Sequence, residues 1–554
     1  MRRLGRFSPA RPAVIATAVL VSGCSSSAAM VETPVMGVDL SYVNEVEDCG
    51  GGYVDDTGQT DPFLILADRG ANLVRARLWN DPDWTEYSTL DDVIRTFERA
   101  EKAGMATLLD FHYSDEWADP GRQTPPAAWA DLGGTEATAA ALGEYTKTVL
   151  TILDEAGVLP DMVQIGNEIN GGLVKPAVGL DWDHDAPLLI AGIGAVRAIA
   201  ADTGHEISVM LHVAQPENGL AWFAEAEAAG LDDFDVIGLS YYPQWSRFSV
   251  AELGSAVQRL GAGYEKQVLV VETGYPWTTE SAGDTADNVL DQGLSQYSMT
   301  PEGQRAFMVD LNSSIVANGG MGTVYWEPAW LSTGCRTRWG QGSHWENATL
   351  FDLGGALHDG AGYLGGSYST LEAPDSIGVT SEDSRGDARP AADLIRVSAV
   401  MDDEAILVSA SLSGDVRQSS GAITLALDTS QGGGDGGRRP FDYAEATRPE
   451  LLLETSFHNE PGLGYVSPTL SEWREAAWTE RTFTGSVMVE DSENGESAVI
   501  WLLPRSMVGE SSGPIQLTVL TVGRGRAGGL EDTFGGDDEA TTGVAAVLSI
   551  GEEQ

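Results

Sequence analysis

The stretch that decides the fold is Val163-Gln-Ile-Gly-Asn-Glu-Ile-Asn-Gly-Gly172, in which apolar residues run up to a small glycine. Asn167 and Glu168 follow that glycine and are themselves followed by a loop. A buried parallel strand ends in this way when it delivers polar side chains to a site at its carboxyl end. The stretch therefore predicts a parallel α/β fold with a site at the strand ends.

A second stretch, Gln267-Val-Leu-Val-Val-Glu-Thr-Gly-Tyr-Pro-Trp277, has the same form, because four apolar residues lead into Glu272. Two glutamates at the ends of apolar strands suit glycoside hydrolysis. That reaction needs one protonated carboxylic acid and one ionised carboxylate that acts as nucleophile or base.

Strand-like and helical runs alternate over residues 34–372, which we interpret as one domain. The strand candidates are 35–40, 72–79, 106–111, 162–166, 207–213, 234–239, 268–271 and 322–326. Ala-rich runs with spacings of three and four predict helices at 90–103, 139–156, 188–201, 217–229 and 304–317. Eight strands with intervening helices predict a (β/α)8 TIM barrel. The alternative is an open doubly wound sheet, which is disfavoured because no Gly-rich phosphate turn follows the first strand.

The composition changes to Ser, Asp, Gly and Pro after the barrel, and we place a linker at 373–390. Residues 391–554 are predicted to form an all-β sandwich accessory domain. Its strand candidates are 395–400, 405–412, 423–427, 451–456, 482–489, 498–503, 515–522 and 543–550. This domain either binds sugar or acts as a spacer. Trp473, Trp478 and Trp501 are candidate sugar platforms, although core packing is the favoured interpretation for Trp501, which lies in an apolar run.

Length and charge narrow the class of protein. The chain has 554 residues and a formal net charge of −51, from 83 acidic and 32 basic residues. Such an excess of negative charge argues against nucleic acid or an anionic membrane surface as partner. It also disfavours a strongly anionic polysaccharide as substrate.

The N-terminus is typical of an exported protein. Basic residues precede a short apolar run at 13–21, which is too short to span a membrane. Val21-Ser-Gly-Cys24 then resembles a bacterial lipoprotein signal, so we expect residues 1–24 to be a signal peptide and Cys24 to carry a lipid. Residues 25–33 would be a tether, and the protein would lie at the extracellular face of a bacterial cell, lipid-anchored or secreted. An ordinary secretory signal is the alternative.

Several motifs follow one another along the chain, each at a predicted strand end. They are Gly37-Val-Asp-Leu-Ser-Tyr42, Val74-Arg-Ala-Arg-Leu-Trp-Asn-Asp-Pro82, Leu109-Asp-Phe-His-Tyr-Ser-Asp-Glu-Trp-Ala-Asp-Pro120, Gly166-Asn-Glu168, Ser240-Tyr-Tyr-Pro243, Val271-Glu-Thr273 and Tyr325-Trp-Glu-Pro-Ala-Trp330. Together they closely resemble glycoside hydrolase family 53, the arabinogalactan endo-β-1,4-galactanases of clan A. Trp345-Glu-Asn-Ala-Thr-Leu-Phe-Asp352 is similar to the closing segment of that family, and the resemblance covers about residues 35–360.

The resemblance implies an endo-acting, retaining hydrolase of β-1,4-galactan in which Glu168 is the acid/base and Glu272 the nucleophile. Clan A barrels share the two glutamates, so a clan A hydrolase of another neutral β-glycan, such as mannan, glucan or a branched galactan, is the first alternative. A surface glycan-binding protein is the second alternative, although it would require the loss of one glutamate.

Further strand-end residues are predicted to bind substrate. Arg77 and Tyr242 are candidates for keeping Glu272 ionised. Asn167 is a candidate for the sugar 2-hydroxyl, and Trp326 for the floor beneath the cleaved sugar. The remaining candidates for the same mouth are Asp39, Asp110, His112, Asp115, Trp117, His212 and Trp330.

Cys49 follows the first predicted strand and Cys335 the eighth, and these strands are neighbours in a closed barrel. We therefore predict a disulfide between them, with two free thiols as the alternative. The resemblance also implies a calcium site in the loop after strand seven, as in bacterial members of the family, with Asp284, Asp287 and Asn288 as the candidate ligands. A solvated acidic loop is the alternative. The chemistry requires no cofactor, and we expect a monomer whose partner is a galactan polysaccharide, with membrane contact only through the lipid.

Overall fold

The computed structural model describes residues 33–374 and, beyond them, 379–382, 394–416, 422–428, 450–458, 465–474, 477–491, 495–508, 515–522, 530–533 and 548–550. The predicted signal peptide with Cys24, nearly all of the tether and most of the predicted linker lie outside these residues.

Eight parallel strands close into a barrel in chain order, which confirms the predicted TIM barrel and excludes the open sheet. The strands are β1 (Val35–Asp39), β2 (Leu73–Leu78), β3 (Ala106–Phe111), β4 (Met162–Ile165), β5 (Ser208–Ala214), β6 (Val236–Tyr241), β7 (Gln267–Thr273) and β8 (Gly322–Tyr325). β1 pairs with β8 in parallel, with Val38 opposite Tyr325, and this pairing closes the barrel.

Helices cover the outside of the barrel. They are α1 (Val43–Asp48), α2 (Pro62–Asp68), α3 (Leu90–Lys102), α4 (Thr135–Ala156), α5 (Trp182–Thr203), α6 (Pro216–Ala228), α7 (Val250–Tyr264) and α8 (Pro301–Ala317). A short 3-10 segment, Asp359–Tyr363, stands where a helix after β8 would complete the ring. The strands are buried on both faces, as expected for a parallel sheet covered by helices.

The predicted helix ends agree closely with the structure, but several predicted starts are late. α5 begins at Trp182 rather than at 188, because Asp181 caps it with a hydrogen bond from Asp183 N and the polar first turn follows. α8 begins at Pro301, capped by Thr300, and proline at the first helical position is a usual start signal. α7, which the sequence analysis did not name, begins with a capping box formed by Ser249 and Glu252.

Among the described residues, α5 alone is long and apolar enough to pass a test for membrane-spanning helices. It lies between β4 and β5 of the closed barrel, and Leu188, Leu189, Ile193 and Val196 on it are buried. These four residues pack in the main hydrophobic core, on the face of α5 that lies against the barrel.

The C-terminal strands form two antiparallel sheets, as predicted for a sandwich. The strands are β11 (Val379–Glu382), β12 (Leu394–Met401), β13 (Ala405–Leu412), β14 (Ala422–Asp428), β15 (Leu451–His458), β16 (Tyr465–Arg474), β17 (Ala477–Arg481), β18 (Ser486–Asp491), β19 (Ser497–Pro504), β20 (Ile515–Val522), β21 (Leu530–Thr533) and β22 (Leu548–Ile550). One sheet has the order β11-β12-β13-β19-β18, and the other has the order β17-β16-β15-β14-β20-β21 with β22 pairing β20. Between the two domains, β9 (Arg336–Thr337) and β10 (Gly340–Gln341) form a small hairpin in the loop after β8.

Several details of the sandwich differ from the prediction. β11 lies within the predicted linker, and β16 and β17 were not predicted because Pro468 and frequent polar residues obscure their alternation. Trp501 is fully buried and donates through Nε1 to Thr455 Oγ1 at 2.9 Å, which confirms its place in the core. Trp473 and Trp478 are partly buried and form an edge contact with ring centroids 5.4 Å apart.

The sandwich packs on α7 of the barrel through directed hydrogen bonds. Ser467 Oγ donates to Glu252 Oε1 at 2.7 Å, and the backbone N–H of Val466 donates to Ser255 Oγ at 3.0 Å. Gln258 Nε2 donates to Ser486 Oγ at 2.7 Å. The sandwich is therefore docked on the barrel by polar contacts that both partners satisfy.

Candidate active site

Glu168 stands just beyond β4 in a backbone conformation that few residues adopt. Gly166 and Glu168 have positive φ angles of 83° and 46°. A Cβ at position 166 would lie 2.6 Å from a methyl group of Ile169, so the turn requires glycine. Left-handed backbone costs a non-glycine residue roughly 1–2 kcal/mol. The contacts around Glu168 must therefore hold it in this conformation.

The carboxyl of Glu168 has a neutral partner. Ser240, on β6, donates from Oγ to Glu168 Oε1 at 2.6 Å. Ser240 Oγ also lies 2.9 Å from Nε2 of His212, which is on β5. The side of the site formed by β4, β5 and β6 thus offers Glu168 hydrogen bonds without placing a cation in direct contact with it.

Glu272, on β7, has a charged partner. Arg75 Nη2 lies 2.8 Å from Glu272 Oε1, and the Tyr242 hydroxyl donates to Glu272 Oε2 at 3.2 Å. Only 6% of Glu272 is exposed. A buried carboxylate that pairs with a guanidinium and accepts a hydrogen bond from a phenol is stabilised in its ionised form.

The structure corrects the prediction for Arg77. The cation that contacts the nucleophile candidate is Arg75, two residues earlier on β2, and Arg77 instead pairs with Glu327 at 3.2 Å. The Arg77 guanidinium also lies 4.1 Å from the ring centroid of Trp117. Residues 75 and 77 share a face of β2, because side chains alternate along a strand. The sequence pattern therefore shows that both point inward, but not which layer each occupies.

Arg75 is the centre of a buried charge network. Besides Glu272 it pairs with Asp39 at 2.7 Å and with Asp110 at 2.9 Å. It also donates to Asn167 Oδ1 at 2.9 Å and to Gln164 Oε1 at 3.2 Å. Three carboxyl groups therefore depend on one guanidinium that is itself 1% exposed.

Burial raises the pKa of Glu168 to about 7 and that of Glu272 to about 8. By these values alone, Glu272 has the higher pKa and would hold the single proton that the two carboxyls share. The contacts assign it to Glu168, because Arg75 touches Glu272 directly and lowers its pKa, whereas the nearest donor to Glu168 is a neutral hydroxyl. Since the charge of each carboxyl disfavours ionisation of the other, the pair holds one proton near neutral pH.

Both glutamates open into one cavity of about 780 Å³ at the carboxyl ends of the strands. Its walls are rich in tryptophan, whose flat faces pack well on the CH patches of a sugar ring. The lining tryptophans are Trp117, Trp245, Trp326, Trp330, Trp339 and Trp345. The ring of Trp326 makes edge contacts with Trp345 at 4.7 Å and with Trp330 at 6.0 Å, so it is fixed from two sides.

The structure divides the predicted substrate-binding residues into two groups. Those that line the cavity are Trp117, Asn167, Tyr242, Trp326 and Trp330. Those that do not line it are Asp39, Arg77, Asp110, His112, Asp115 and His212.

The second group corrects the expectation that all of these side chains would line the mouth. Asp39 and Asp110 serve Arg75, and His112 Nε2 lies 3.0 Å from Asp110 Oδ2. Asp115 accepts from the backbone N–H groups of Asp81 at 3.0 Å and of Ala127 at 2.7 Å, so it orders loops. These residues therefore contact neighbouring protein groups and are not part of the cavity lining.

Asn167 lines the cavity, but the protein already engages its side chain. Its Nδ2 donates to Ala118 O at 2.8 Å, and its Oδ1 accepts from Arg75. The amide nitrogen carries a second hydrogen. Contact with a sugar 2-hydroxyl therefore stays a prediction.

Several residues that line the cavity were not predicted from the sequence, among them Asp119, Gln215, Trp245, Trp339 and Trp345. Trp245 could have been found, because it stands two residues after the last residue of the Ser-Tyr-Tyr-Pro motif; it is 48% exposed and lines the cavity. Trp339 lies in the β9–β10 hairpin, and no strand-end pattern marks that position.

Cys49 and Cys335 form a disulfide with a Cα–Cα distance of 5.7 Å, the pairing that the neighbouring positions of β1 and β8 predict. It joins the loop after β1 to the loop after β8 at the catalytic end of the barrel. The rim beside the β9–β10 hairpin is thereby tied to the first βα loop.

Some features of the loop after β7 suit a calcium site and others do not. Asp284 already accepts from Ser332 Oγ at 2.6 Å and from the backbone of Ser343 at 3.0 Å, and Asp287 is exposed. Asn288 Oδ1 is buried without a hydrogen-bond partner in the described part of the chain, so this atom suits a cation. No group of three His, Cys, Asp or Glu side chains among the described residues could hold a metal. Calcium here stays a prediction.

A closed parallel barrel whose fourth and seventh strands bring two carboxyls into one tryptophan-lined cavity is the architecture of a two-carboxylate glycosidase. Comparison with known proteins agrees. The family model described as Glycosyl hydrolase family 53 matches residues 35–360.

Relatives and solved structures narrow the identification. An arabinogalactan endo-β-1,4-galactanase of Cellvibrio japonicus is 48% identical over 345 residues, which are 61% of this chain and 92% of the relative. The solved catalytic domain of family 53 from Ignisphaera aggregans is 31% identical with a TM-score of 0.55, covering 60% of this chain and 98% of that chain. A solved structure of fungal β-1,4-galactanases is 29% identical with a TM-score of 0.52, covering 59% and 98%. The chain therefore belongs to glycosyl hydrolase family 53, and it is a glycoside-hydrolysing enzyme.

Proposed function

We propose that the protein is an endo-acting, retaining β-1,4-galactanase that cleaves the galactan of type I arabinogalactan. The observation that carries this proposal is the pair Glu168 and Glu272, which face one cavity but have different partners. The name of the Cellvibrio relative supports the substrate.

The reaction follows from the two environments. In the first step, a carboxylate oxygen of Glu272 bonds to the anomeric carbon while the bond to the leaving oxygen breaks, and Glu168 gives that oxygen its proton. In the second step, Glu168 takes a proton from water, the water oxygen attacks the anomeric carbon, and Glu272 is released. Arg75 and Tyr242 hold Glu272 ionised and aimed for the first step.

The cavity suits a neutral chain. Tryptophan faces dominate its walls, and of its lining residues Arg122 is the sole arginine or lysine, exposed at the mouth, against Asp119, Glu168 and Glu272. An anionic polysaccharide would meet this excess of carboxyl groups unfavourably.

The decisive measurement is the release of reducing ends from linear β-1,4-galactan, compared with β-mannan and cellulose at equal concentration. We expect galactan to be cleaved to oligosaccharides of several lengths, since an endo-acting enzyme cuts internal bonds. Faster cleavage of mannan or cellulose would establish the alternative of a clan A hydrolase of another glycan. Tight binding of galactan without cleavage would establish a glycan-binding protein.

The stereochemistry offers a second test. The newly formed reducing end should first appear as the β-anomer by proton NMR, because two displacements at one carbon restore the configuration. Initial appearance of the α-anomer would show that Glu272 acts as a base on water rather than as a nucleophile.

We also propose that the protein is exported and anchored through lipid on Cys24, that it is a monomer, and that the loop after β7 binds calcium. The sequence from the basic N-terminus to Cys24 supports the anchor. Metabolic labelling with a fatty acid should mark the wild-type protein and leave Cys24→Ser unlabelled.

Metal analysis after dialysis should find calcium in the wild-type protein and less in Asn288→Ala. Light scattering should give the mass of one chain.

A further inference from the structure

One histidine is linked to both ends of Glu168. Nδ1 of His212 lies 3.3 Å from the backbone N–H of Glu168, which donates to it. Nε2 of the same ring lies 2.9 Å from Ser240 Oγ, and Ser240 donates to Glu168 Oε1 at 2.6 Å. His212 and Ser240 are both completely buried.

The directions of these hydrogen bonds follow from the chemistry of the groups. Ser240 has a single hydroxyl proton, which it gives to Oε1 of Glu168, so it can only accept from His212. Burial, followed by the charge of Arg75, lowers the pKa of His212 well below its usual value, so the ring is neutral and carries one proton. That proton is on Nε2.

Nδ1 of His212 is then an acceptor, and two N–H donors face it. They are the backbone of Glu168 and Nε2 of Gln164, which lies 3.1 Å away. Asn167 Oδ1 is also 3.0 Å from Nδ1, but with the ring proton on Nε2 no hydrogen lies between these two atoms, and that oxygen accepts from Arg75. The tautomer is therefore fixed by the groups around the ring.

We propose that His212 and Ser240 are positioning residues for the general acid/base. They hold the left-handed backbone of Glu168 and occupy its Oε1, so that the proton delivered to the leaving oxygen is carried on Oε2. This proposal rests on the assignment of Glu168 as acid/base in the proposed function. It goes further, because it assigns a task to two residues that do not touch the reacting atoms.

The surrounding charges set the expected pH dependence. Besides Ser240, Glu168 is influenced by Asp119 from the loop after β3, by Arg75 on β2, by Asp110 on β3 and by Glu272 on β7. His212 is influenced by Arg75, Asp110 and His112. The Ser240 hydrogen bond lowers the pKa of Glu168, against the larger effect of burial. Loss of the hydroxyl should therefore raise that pKa and move the alkaline limb of kcat/KM to higher pH.

The experiment compares two aryl β-1,4-galactobiosides on wild type and Ser240→Ala. A 2,4-dinitrophenyl leaving group departs without a proton, whereas a 4-methylphenyl group needs one. A misplaced acid should cost about 10-fold in kcat/KM on the 4-methylphenyl substrate and on galactan, and less than about 2-fold on the dinitrophenyl substrate. His212→Gln should show the same selective loss.

Thr323→Val is the matched control. Thr323 is a buried hydroxyl on β8 that donates to Asn312 Oδ1 at 3.1 Å, away from both glutamates. Its loss should lower the melting temperature without changing the ratio of the two aryl substrates. If Ser240→Ala does not fold, Ser240→Cys replaces it, since a thiol has nearly the same size and is a weaker donor.

Equal losses on both aryl substrates, or an alkaline limb that stays in place, would overturn the proposal and leave Ser240 a packing residue. Failure of the proposed function looks different, because the wild-type protein itself would then not cleave galactan. In that case the same leaving-group ratio is measured with aryl glycosides of the glycan that is cleaved.

Discussion

The two sides of the active site hold the same kind of side chain in opposite surroundings. On the side formed by β1, β2, β3 and β7, Glu272 joins Asp39 and Asp110 around the permanent charge of Arg75. On the side formed by β4, β5 and β6, Glu168 meets the hydroxyl of Ser240 and, behind it, the neutral ring of His212. Two glutamates at strand ends thus differ in function because of atoms within about 3 Å of their carboxyl groups, and substitutions on one side should leave the other side intact.

Removing the carboxyl groups should give the largest effects and should separate the two sides. Glu168→Ala should lose about 10²–10⁴-fold on galactan but much less on a dinitrophenyl galactobioside, because a good leaving group needs no acid. Glu272→Ala should lose at least as much on both substrates, because no nucleophile remains.

Azide sharpens this comparison. It should rescue Glu168→Ala by attacking the glycosyl-enzyme, giving a β-azide, and Glu272→Ala by attacking the substrate directly, giving an α-azide. NMR of the products determines the configuration of the glycosyl azide from each variant. Azides of the same configuration from both variants would contradict the assignment of roles.

Arg75→Met should be the next most severe change. It leaves three carboxyls without their cation, so the free energy of unfolding should fall by roughly 3–5 kcal/mol. Because Arg75 lowers the pKa of Glu272, its loss should move the acid limb of kcat/KM upward by about 1 pH unit.

Arg77→Met is the matched control for Arg75→Met. It also removes a buried guanidinium, but Arg77 pairs with Glu327 rather than Glu272, so the acid limb should stay where it is. Denaturant unfolding and pH–rate profiles measure the two effects separately. An equal shift of the acid limb in both variants would show that total charge, rather than contact, sets the ionisation of Glu272.

Stability should depend on pH through Glu168. Its folded pKa of about 7 is above its ordinary value of 4.5, so the unfolded chain ionises first and stability falls as pH rises from about 4.5 to about 7. The difference in unfolding free energy between Glu168→Gln and wild type should therefore grow by about 3 kcal/mol in favour of the variant between pH 4.5 and pH 8. Urea unfolding at the two pH values measures it, and a constant difference would mean that burial does not raise this pKa.

Tyr242→Phe should have the smallest effect. It removes one neutral donor at 3.2 Å from Glu272 while the contact with Arg75 remains. The loss in kcat/KM should be about 3–10-fold, the value of a single hydrogen bond, with little change in unfolding free energy. A loss as large as that of Arg75→Met would mean that the phenol, and not the guanidinium, is the main support of the nucleophile.

The sequence predicts the barrel well because its strands are buried on both faces and end in abrupt changes of polarity. The same changes identify Glu168 and Glu272. The layer of the barrel interior that each inward-facing side chain occupies was harder to predict. Arg75 and Arg77 share a face of one strand, and only the closure of the barrel decides which of them reaches Glu272. Asp39, Asp110 and His212 look like site residues for the same reason, although they are fully buried and do not line the cavity.

The loops and the sandwich were harder for other reasons. Trp339 and Trp345 reach the cavity from a long loop after β8, where no periodicity applies. In the sandwich, the outer face of β16 packs on α7, so Ser467 is a contact residue although its polarity suggests exposure to solvent. Polar residues that face another domain cannot be distinguished by pattern from polar residues that face water.

The bond between Cys49 and Cys335 lies where the circle of strands is joined by no βα segment, between β8 and β1. It spans 286 positions of sequence and turns nearly the whole barrel into a covalent ring. The disulfide prevents the barrel from opening between β8 and β1. These two strands therefore remain neighbours even when their backbone pairing is lost. Reduction of this bond should therefore make the segments around β1 and β8 susceptible to proteases before the helices in the middle of the barrel sequence.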